Sequence, residues 1–195
     1  DPFTVLIIRN MGIGDILIST ELVRNIKLRY PNAEVHYATF DRHASLLQHN
    51  PDIAGIHTIG KIDPFDFDFD INLCHKSEKY PEFTWMIRSD MYAQEAGVPA
   101  ETRGTYLYLT QEERDFAWEF LTKELGTTDR RIVAIQPKGS GEHRSLKEET
   151  VKGLIDLLTA KGYYVLLYGQ EKSHYPHEHK GVLNLCGSGV TLRSI

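Results

Sequence analysis

Much of what would mark a specialised fold is missing from this chain. Its 195 residues hold only two cysteines, Cys74 and Cys186. They lie far apart and match no zinc-knuckle, redox-pair or disulfide-framework spacing, so a reducing, cytoplasmic compartment is expected. No apolar run approaches the roughly 20 residues of a membrane-spanning helix, and the first residues have no signal-peptide pattern. Peripheral contact with the inner membrane face remains open. Basic charge is not in excess. The chain has 22 Lys and Arg against 27 Asp and Glu, a net charge of −5. A global basic footprint is therefore absent, and nucleic acid is not an expected partner. Neither short-period repeats nor low-complexity segments occur.

What is present is ordinary for a globular protein: 41% hydrophobic and 25% charged residues, enough for one large domain or two small ones. Strands and helices alternate. Val5 to Ile8 reads as a buried parallel strand, and a helix from Asp15 to about Tyr30 follows. Ile16, Thr20, Val23, Ile26 and Tyr30 share one broad face of that helix. Glu21, Arg24 and Lys27 fall toward solvent. Strands are expected over Ala33–Phe40, Gly55–Ile59 and Phe69–Leu73, with a short helix at 41–50 and a longer one over Glu82–Ala96. Residues 99–109 form a crossing segment. Thr110 to Glu113 then opens a helix with a capping-box pattern that runs to Leu125 and stops at Gly126.

The pattern restarts after 130. Strand Ile132–Gln136, helix Lys147–Ala160, strand Tyr163–Tyr168 and strand Val182–Cys186 repeat the α/β order. The division expected is an N-terminal domain over 1–109, a connecting helix and linker over 110–130, and a second domain over 131–195. Two Rossmann-like parallel-sheet domains facing across a cleft follow from this, with ligands at the carboxyl ends of the strands. The chain opens on Asp1 and reaches Ile195 where a helical pattern begins, so the second domain is expected to be incomplete.

Two loops carry the chemistry. The first follows the opening strand and holds Gly12 and Gly14, whose backbone at a helix N-terminus makes an anion-binding turn. Asp15 follows directly. A dinucleotide fingerprint would need a third small residue where Leu17 stands, although Asp41 could imitate its ribose-binding acid. Asp15 can be a helix-end acid and nothing more, or a base that takes a proton from a substrate. The second loop, Gln136 to Ser145, combines Lys138, Gly139, Ser140, Gly141 and Arg144. Its cations, hydroxyl and backbone N–H groups could hold a diphosphate. It is not a P-loop, because no Gly-Lys-Ser/Thr follows.

Other signals read as structure. Asp63, Asp66, Asp68 and Asp70 alternate with Phe65, Phe67 and Phe69, as a strand edge with phenylalanines inward would. No metal is expected on them. His174, His177 and His179 sit in a polar loop, and Trp85, Met86 and Tyr92 read as helix packing.

Met11-Gly12-Ile13-Gly14-Asp15 and the following Ile-Leu-Ile-Ser-Thr-Glu-Leu resemble the opening motif of the bacterial heptosyltransferases, glycosyltransferase family nine. Tyr30-Pro31-Asn32-Ala33-Glu34-Val35 and His49-Asn50-Pro51-Asp52-Ile53 are similar to its next segments. Gln136 to Arg144, Leu166 to Gly169 and Leu183 to Gly187 are similar to its later ones. The resemblance is co-linear over nearly the whole chain. It implies a GT-B fold and inverting, metal-independent sugar transfer, with no cofactor. The donor would be a nucleotide-diphospho-sugar, an ADP-sugar above others, and the acceptor a glycan or lipid-linked glycan such as lipopolysaccharide core. Asp15 takes the place of the family's base. Arg144 stands where the family has lysine, Leu146 where it has an aromatic, and its Asp-Ser-Gly-Pro loop would lie past Ile195. A catalytically silent sugar-nucleotide-binding module is the alternative.

Overall fold

Val5, Leu6 and Ile7 are buried on both sides of strand β1, Phe3–Ile8, as the centre of a parallel sheet requires. In this computed structural model, residues 1–76, 85–126, 129, 131–139, 141–169, 180–189 and 193 are described. The chain divides into two compact units, Asp1–Leu109 and Thr110–Ile195.

In the first unit, β1 pairs in parallel with β2, Ala33–Thr39, and with β4, Phe69–Asn72. Strand β3, Gly55–Thr58, pairs outside β2, so the order is β3-β2-β1-β4. The chain therefore winds outward from β1 to β3 and returns to the other side for β4. This reversal makes the carboxyl ends of β1 and β4 the topological switch point, where such sheets bind ligands.

Helix α1, Ile13–Arg29, covers one face of the sheet. Ile16, Leu22, Val23 and Ile26 share a core with Val5, Ile7, Val35 and Tyr37. A buried hydrogen bond joins the hydroxyls of Ser19 and Tyr37, and burial pushes the Tyr37 phenol well above its ordinary range. A second side of α1 is polar and also covered. Thr20 Oγ1 accepts from Tyr106 N (2.8 Å), Glu21 Oε2 from Gly104 N (2.9 Å), and Asn25 Oδ1 from Thr102 N and Oγ1 (2.9 and 3.0 Å). Side chains thus accept from alternate N–H groups of the 102–106 segment, as a neighbouring strand would. Glu21 was expected in solvent but is buried, because this segment returns over the polar side of the helix.

The first unit is completed by α2, Asp41–Ala44, a 3-10 turn at Ser45–Leu47, and α3, Arg88–Ala96. Helix α3 buries Met91, Tyr92 and Ala93 and ends at Gly97, whose φ of 64° is left-handed. It begins later than the expected Glu82; residues 82–84 lie outside the described residues. Trp85 precedes it and is 91% exposed rather than packed. The phenylalanine pattern also departs from expectation. Asp63 caps a 3-10 turn at Pro64–Asp66 by accepting from Phe65 N (3.0 Å), leaving Phe65 96% exposed. Pro64 favours a turn here, so strand alternation begins only at Phe69. Phe69 remains largely exposed, edge-on to Phe3. Asp68 accepts from Thr4 N and Oγ1 (2.8 and 2.9 Å), which holds its carboxyl below the ordinary range. Among the described residues no three His, Cys, Asp or Glu gather as a metal site.

In the second unit, α4, Gln111–Leu125, starts with the expected capping box between Thr110 and Glu113. Glu113 also takes a forked pair of bonds from Arg193 (2.6 and 2.7 Å). Strands β5, Ile132–Ile135, β6, Tyr164–Leu167, and β7, Val182–Asn184, form a separate parallel sheet in that order. Helix α5, Glu148–Ala160, buries Val151 and Ile155 against Val165 and Leu167. Cys74 and Cys186 are half-buried. His174, His177 and His179 lie outside the described residues.

The acceptors on α1 give a direct test of the returning segment. Asn25→Ala leaves the N–H and hydroxyl of Thr102 without their shared partner, and should cost about 1–3 kcal/mol. Urea unfolding monitored by circular dichroism reads the difference.

Candidate functional site

At the switch point an arginine fully removed from water organises the first unit. Arg9 follows β1 directly, and its backbone N–H donates to Ala38 O at 3.1 Å. Its Nη1 donates to Leu73 O, just past β4. Its Nη2 lies 3.2 Å from Asp15 Oδ1, and its guanidinium sits 5.5 Å from the centre of the Tyr92 ring on α3. One side chain therefore joins the ends of β1 and β4 to the first turn of α1 and to α3. The acid partner is needed, because an unpaired buried guanidinium would cost several kcal/mol.

Asp15 receives a second cation. Arg88 Nη1, from the start of α3, donates to the same Oδ1. Among the described residues, Oδ2 accepts no hydrogen bond. The Asp15 side chain is 13% exposed, so the carboxylate is largely sheltered from water. No side chain caps α1; its N-cap is Gly12 in an extended conformation. Asp15 is thus held by arginines and contributes to the helix end only through its charge in the first turn.

Gly12 and Gly14 are exposed, and neither has the left-handed backbone that would require glycine. A Cβ on Gly14 would meet nothing within 4 Å, and one on Gly12 would come no closer than 3.8 Å, to Asp15 Oδ2. Their effect is to leave backbone and carboxylate approachable by another molecule.

In the second unit the 136–146 loop closes on itself. Leu146 N donates to Pro137 O (2.8 Å), Gly139 N to Ser145 Oγ (3.3 Å), and Ser145 Oγ to Gly141 O (3.0 Å). Only glycine fits at 139, where a Cβ would fall 2.7 Å from Arg144 Cβ and 2.8 Å from its carbonyl oxygen. Lys138 and Arg144 are both exposed on this closed loop. The Gly139 N–H, read from sequence as a phosphate donor, is engaged by Ser145. Ser140 lies outside the described residues.

Sequence reasoning picked out Asp15 but missed the residues around it. Arg9 had a readable signal, a lone cation at the end of an apolar strand. Arg88 had none, being 73 residues from its partner. Ser145 was included in the loop without its closing role.

No known family profile matches this sequence, and no curated protein matches it. Solved structures do. The fold they share with this chain is the GT-B-like parallel-sheet α/β fold. The family 9 glycosyl transferase of Veillonella parvula DSM 2008 is similar with a TM-score of 0.76 at 15% identity, over 95% of this chain and 70% of that one. The ADP-heptose LPS heptosyltransferase II of E. coli gives 0.66 at 16% identity, over 95% and 73%. E. coli heptosyltransferase WaaC with ADP-2-deoxy-2-fluoro heptose gives 0.61 at 13% identity, over 93% and 76%. The chain has the fold of these transferases.

The two arginines should separate cleanly in stability measurements. Arg9→Met removes the buried partner of Asp15 and the donor to Leu73 O, and should cost about 3 kcal/mol. Arg88, whose side chain is 41% exposed, should cost under about 1 kcal/mol as Arg88→Met, because solvent screens the pair. Guanidinium denaturation of both variants gives the comparison; equal losses would contradict the central place of Arg9.

Proposed function

We propose that this protein is a glycosyltransferase that moves a sugar, heptose or a close relative, from an ADP-sugar to a hydroxyl of a lipopolysaccharide-like glycan. The reaction proposed is inverting and metal-independent. One observation supports it above others: on a fold shared with ADP-heptose transferases, a carboxylate stands at the switch point with Oδ1 held by two arginines and Oδ2 accepting no hydrogen bond among the described residues. ADP is the nucleotide proposed because similar structures hold ADP or an ADP-sugar.

Asp15 Oδ2 would take the proton from the acceptor hydroxyl as that oxygen attacks the anomeric carbon. The bond from this carbon to the diphosphate breaks on the opposite side, and ADP departs. Arg9 and Arg88 keep Asp15 oriented through Oδ1, and the glycines of the turn let the acceptor come close. Lys138 and Arg144 would neutralise the departing diphosphate, and the Ser140 hydroxyl would bond to it, while Gly139 lets the loop close behind them. Arginine at 144 would hold phosphate as a planar fork where lysine offers a point charge. Residues 1–109 then serve the acceptor, 131–195 the nucleotide sugar, and 110–130 connect them. Such a reaction belongs in the cytoplasm at the inner membrane face. No helix among the described residues is long and apolar enough to cross a membrane.

Asp15→Asn should lower transfer by roughly 10²–10⁴-fold while donor affinity changes little. The same substitution takes a charge from buried Arg9, so assays belong below the variant's own melting temperature. Turnover at the wild-type rate in a folded Asn variant would exclude Asp15 as the base.

Arg144→Ala should weaken ADP binding by about 1–3 kcal/mol, the loss of a charge-assisted hydrogen bond, as read by calorimetry. Unchanged affinity would remove Arg144 from the donor site. Wild-type protein that binds ADP yet neither transfers sugar nor hydrolyses donor would instead be a silent binding module.

A further inference from the structure

The stretch that leads into α3 leaves large apolar side chains in water. Trp85 is 91% exposed and Ile87 67% exposed, whereas Ser89, Met91, Tyr92 and Ala93 on the helix itself are buried. A single apolar residue on a surface needs no explanation. The position of this one does. Three residues after Trp85 stands Arg88, whose Nη1 donates to Asp15 Oδ1, and three residues of chain span at most about 11 Å. The exposed indole therefore belongs to the same short stretch that reaches the carboxylate.

Arg88 has more donors than Asp15 occupies. A guanidinium carries its N–H groups in a planar fork, and Arg88 engages Asp15 through Nη1 alone. Among the described residues its Nε and Nη2 donate no hydrogen bond. Asp15 does not need Arg88 as its buried counter-charge, because Arg9, wholly out of water, lies 3.2 Å from the same oxygen. The exposed pair adds little stability. The rest of the fork is therefore open to another molecule while Nη1 stays on Asp15.

We propose that Trp85 and Arg88 form the platform for the acceptor sugar. The sugar that fits is a pyranose with one face clear of axial hydroxyls and two neighbouring oxygens on its edge. This rests on the transferase reading above and names what that site recognises. The negative π face of the indole meets the polarised C–H groups of the sugar face, and covering it removes apolar area from water. Nε and Nη2 of Arg88 donate to the two edge oxygens, a fork matched to a pair of acceptors. Since Nη1 of the same guanidinium stays on Asp15, the sugar is held in register with the carboxylate. A further hydroxyl of that sugar is then presented to Oδ2. Both residues position the acceptor, and the proton still passes to Asp15.

The test is equilibrium binding of lipopolysaccharide core oligosaccharide freed of its acyl chains, with no donor present. The chain has two tryptophans, so Trp118→Phe leaves Trp85 as the only indole. Its emission should shift to the blue and saturate as the oligosaccharide is added. Trp85→Ala should weaken binding about tenfold by calorimetry, the scale of one aromatic contact, and Trp85→Phe should restore much of it. With ADP-heptose present, Trp85→Ala should raise the oligosaccharide KM by a similar factor while kcat stays near wild type. Arg88→Lys, which keeps a cation for Asp15 without the fork, should raise KM as well. Wild-type affinity and KM in Trp85→Ala would overturn the platform and leave the transferase reading standing. Saturable binding that Trp85→Ala weakens, in a protein without transfer, would uphold the platform and end that reading. A blue shift given by phosphatidylglycerol vesicles and not by the oligosaccharide would assign Trp85 to a bilayer and overturn the proposal. No response to either probe would overturn it equally.

Discussion

The buried guanidinium of Arg9 is the constraint on which the first unit depends. Removing it from water costs several kcal/mol unless its charge and donors are met. The fold answers the charge with Asp15 and the Nη1 donor with Leu73 O, and lays the guanidinium against the Tyr92 ring. Those three groups belong to the end of β4, the first turn of α1 and helix α3. Arg9 therefore links the stability of the sheet's switch point to the orientation of the carboxylate beside it. Both cations make their nearest approach at Oδ1, which leaves Oδ2 of the same side chain accepting no hydrogen bond among the described residues.

Helix α1 shows how the same element serves two neighbours. Its apolar side packs on the sheet through Ile16, Val23 and Ile26. Its polar side, through Thr20, Glu21 and Asn25, accepts backbone N–H groups from the 102–106 segment. Buried polar groups are tolerable there because they satisfy a strand-like segment with no strand beside it. The helix can then keep its N-terminus and Asp15 at the strand ends.

The second unit uses a different device. Its 136–146 loop is shaped by Ser145 and by the absence of a side chain at Gly139, where Arg144 packs against the backbone. Two cations are displayed on a loop closed by its own hydrogen bonds. Preorganisation of this kind lowers the entropy lost when a charged ligand is held.

Sequence by itself determined the alternation of strands and helices, the helix stops at Gly97 and Gly126, the Thr110 capping box and the place of Asp15 after the glycine turn. These are local: they follow from apolar periodicity, from left-handed backbone that glycine adopts at little cost, and from partners three residues apart. Only tertiary structure decided that Glu21 is buried, that Phe65 and Trp85 are exposed, and that Arg88 meets Asp15 across 73 residues of chain. It also decided which oxygen of Asp15 accepts from Arg88 and that His36 faces His57. Each of these depends on which segment crosses over which face. No period along a single segment encodes that, because the burial and partners of a side chain belong to the element packed against it.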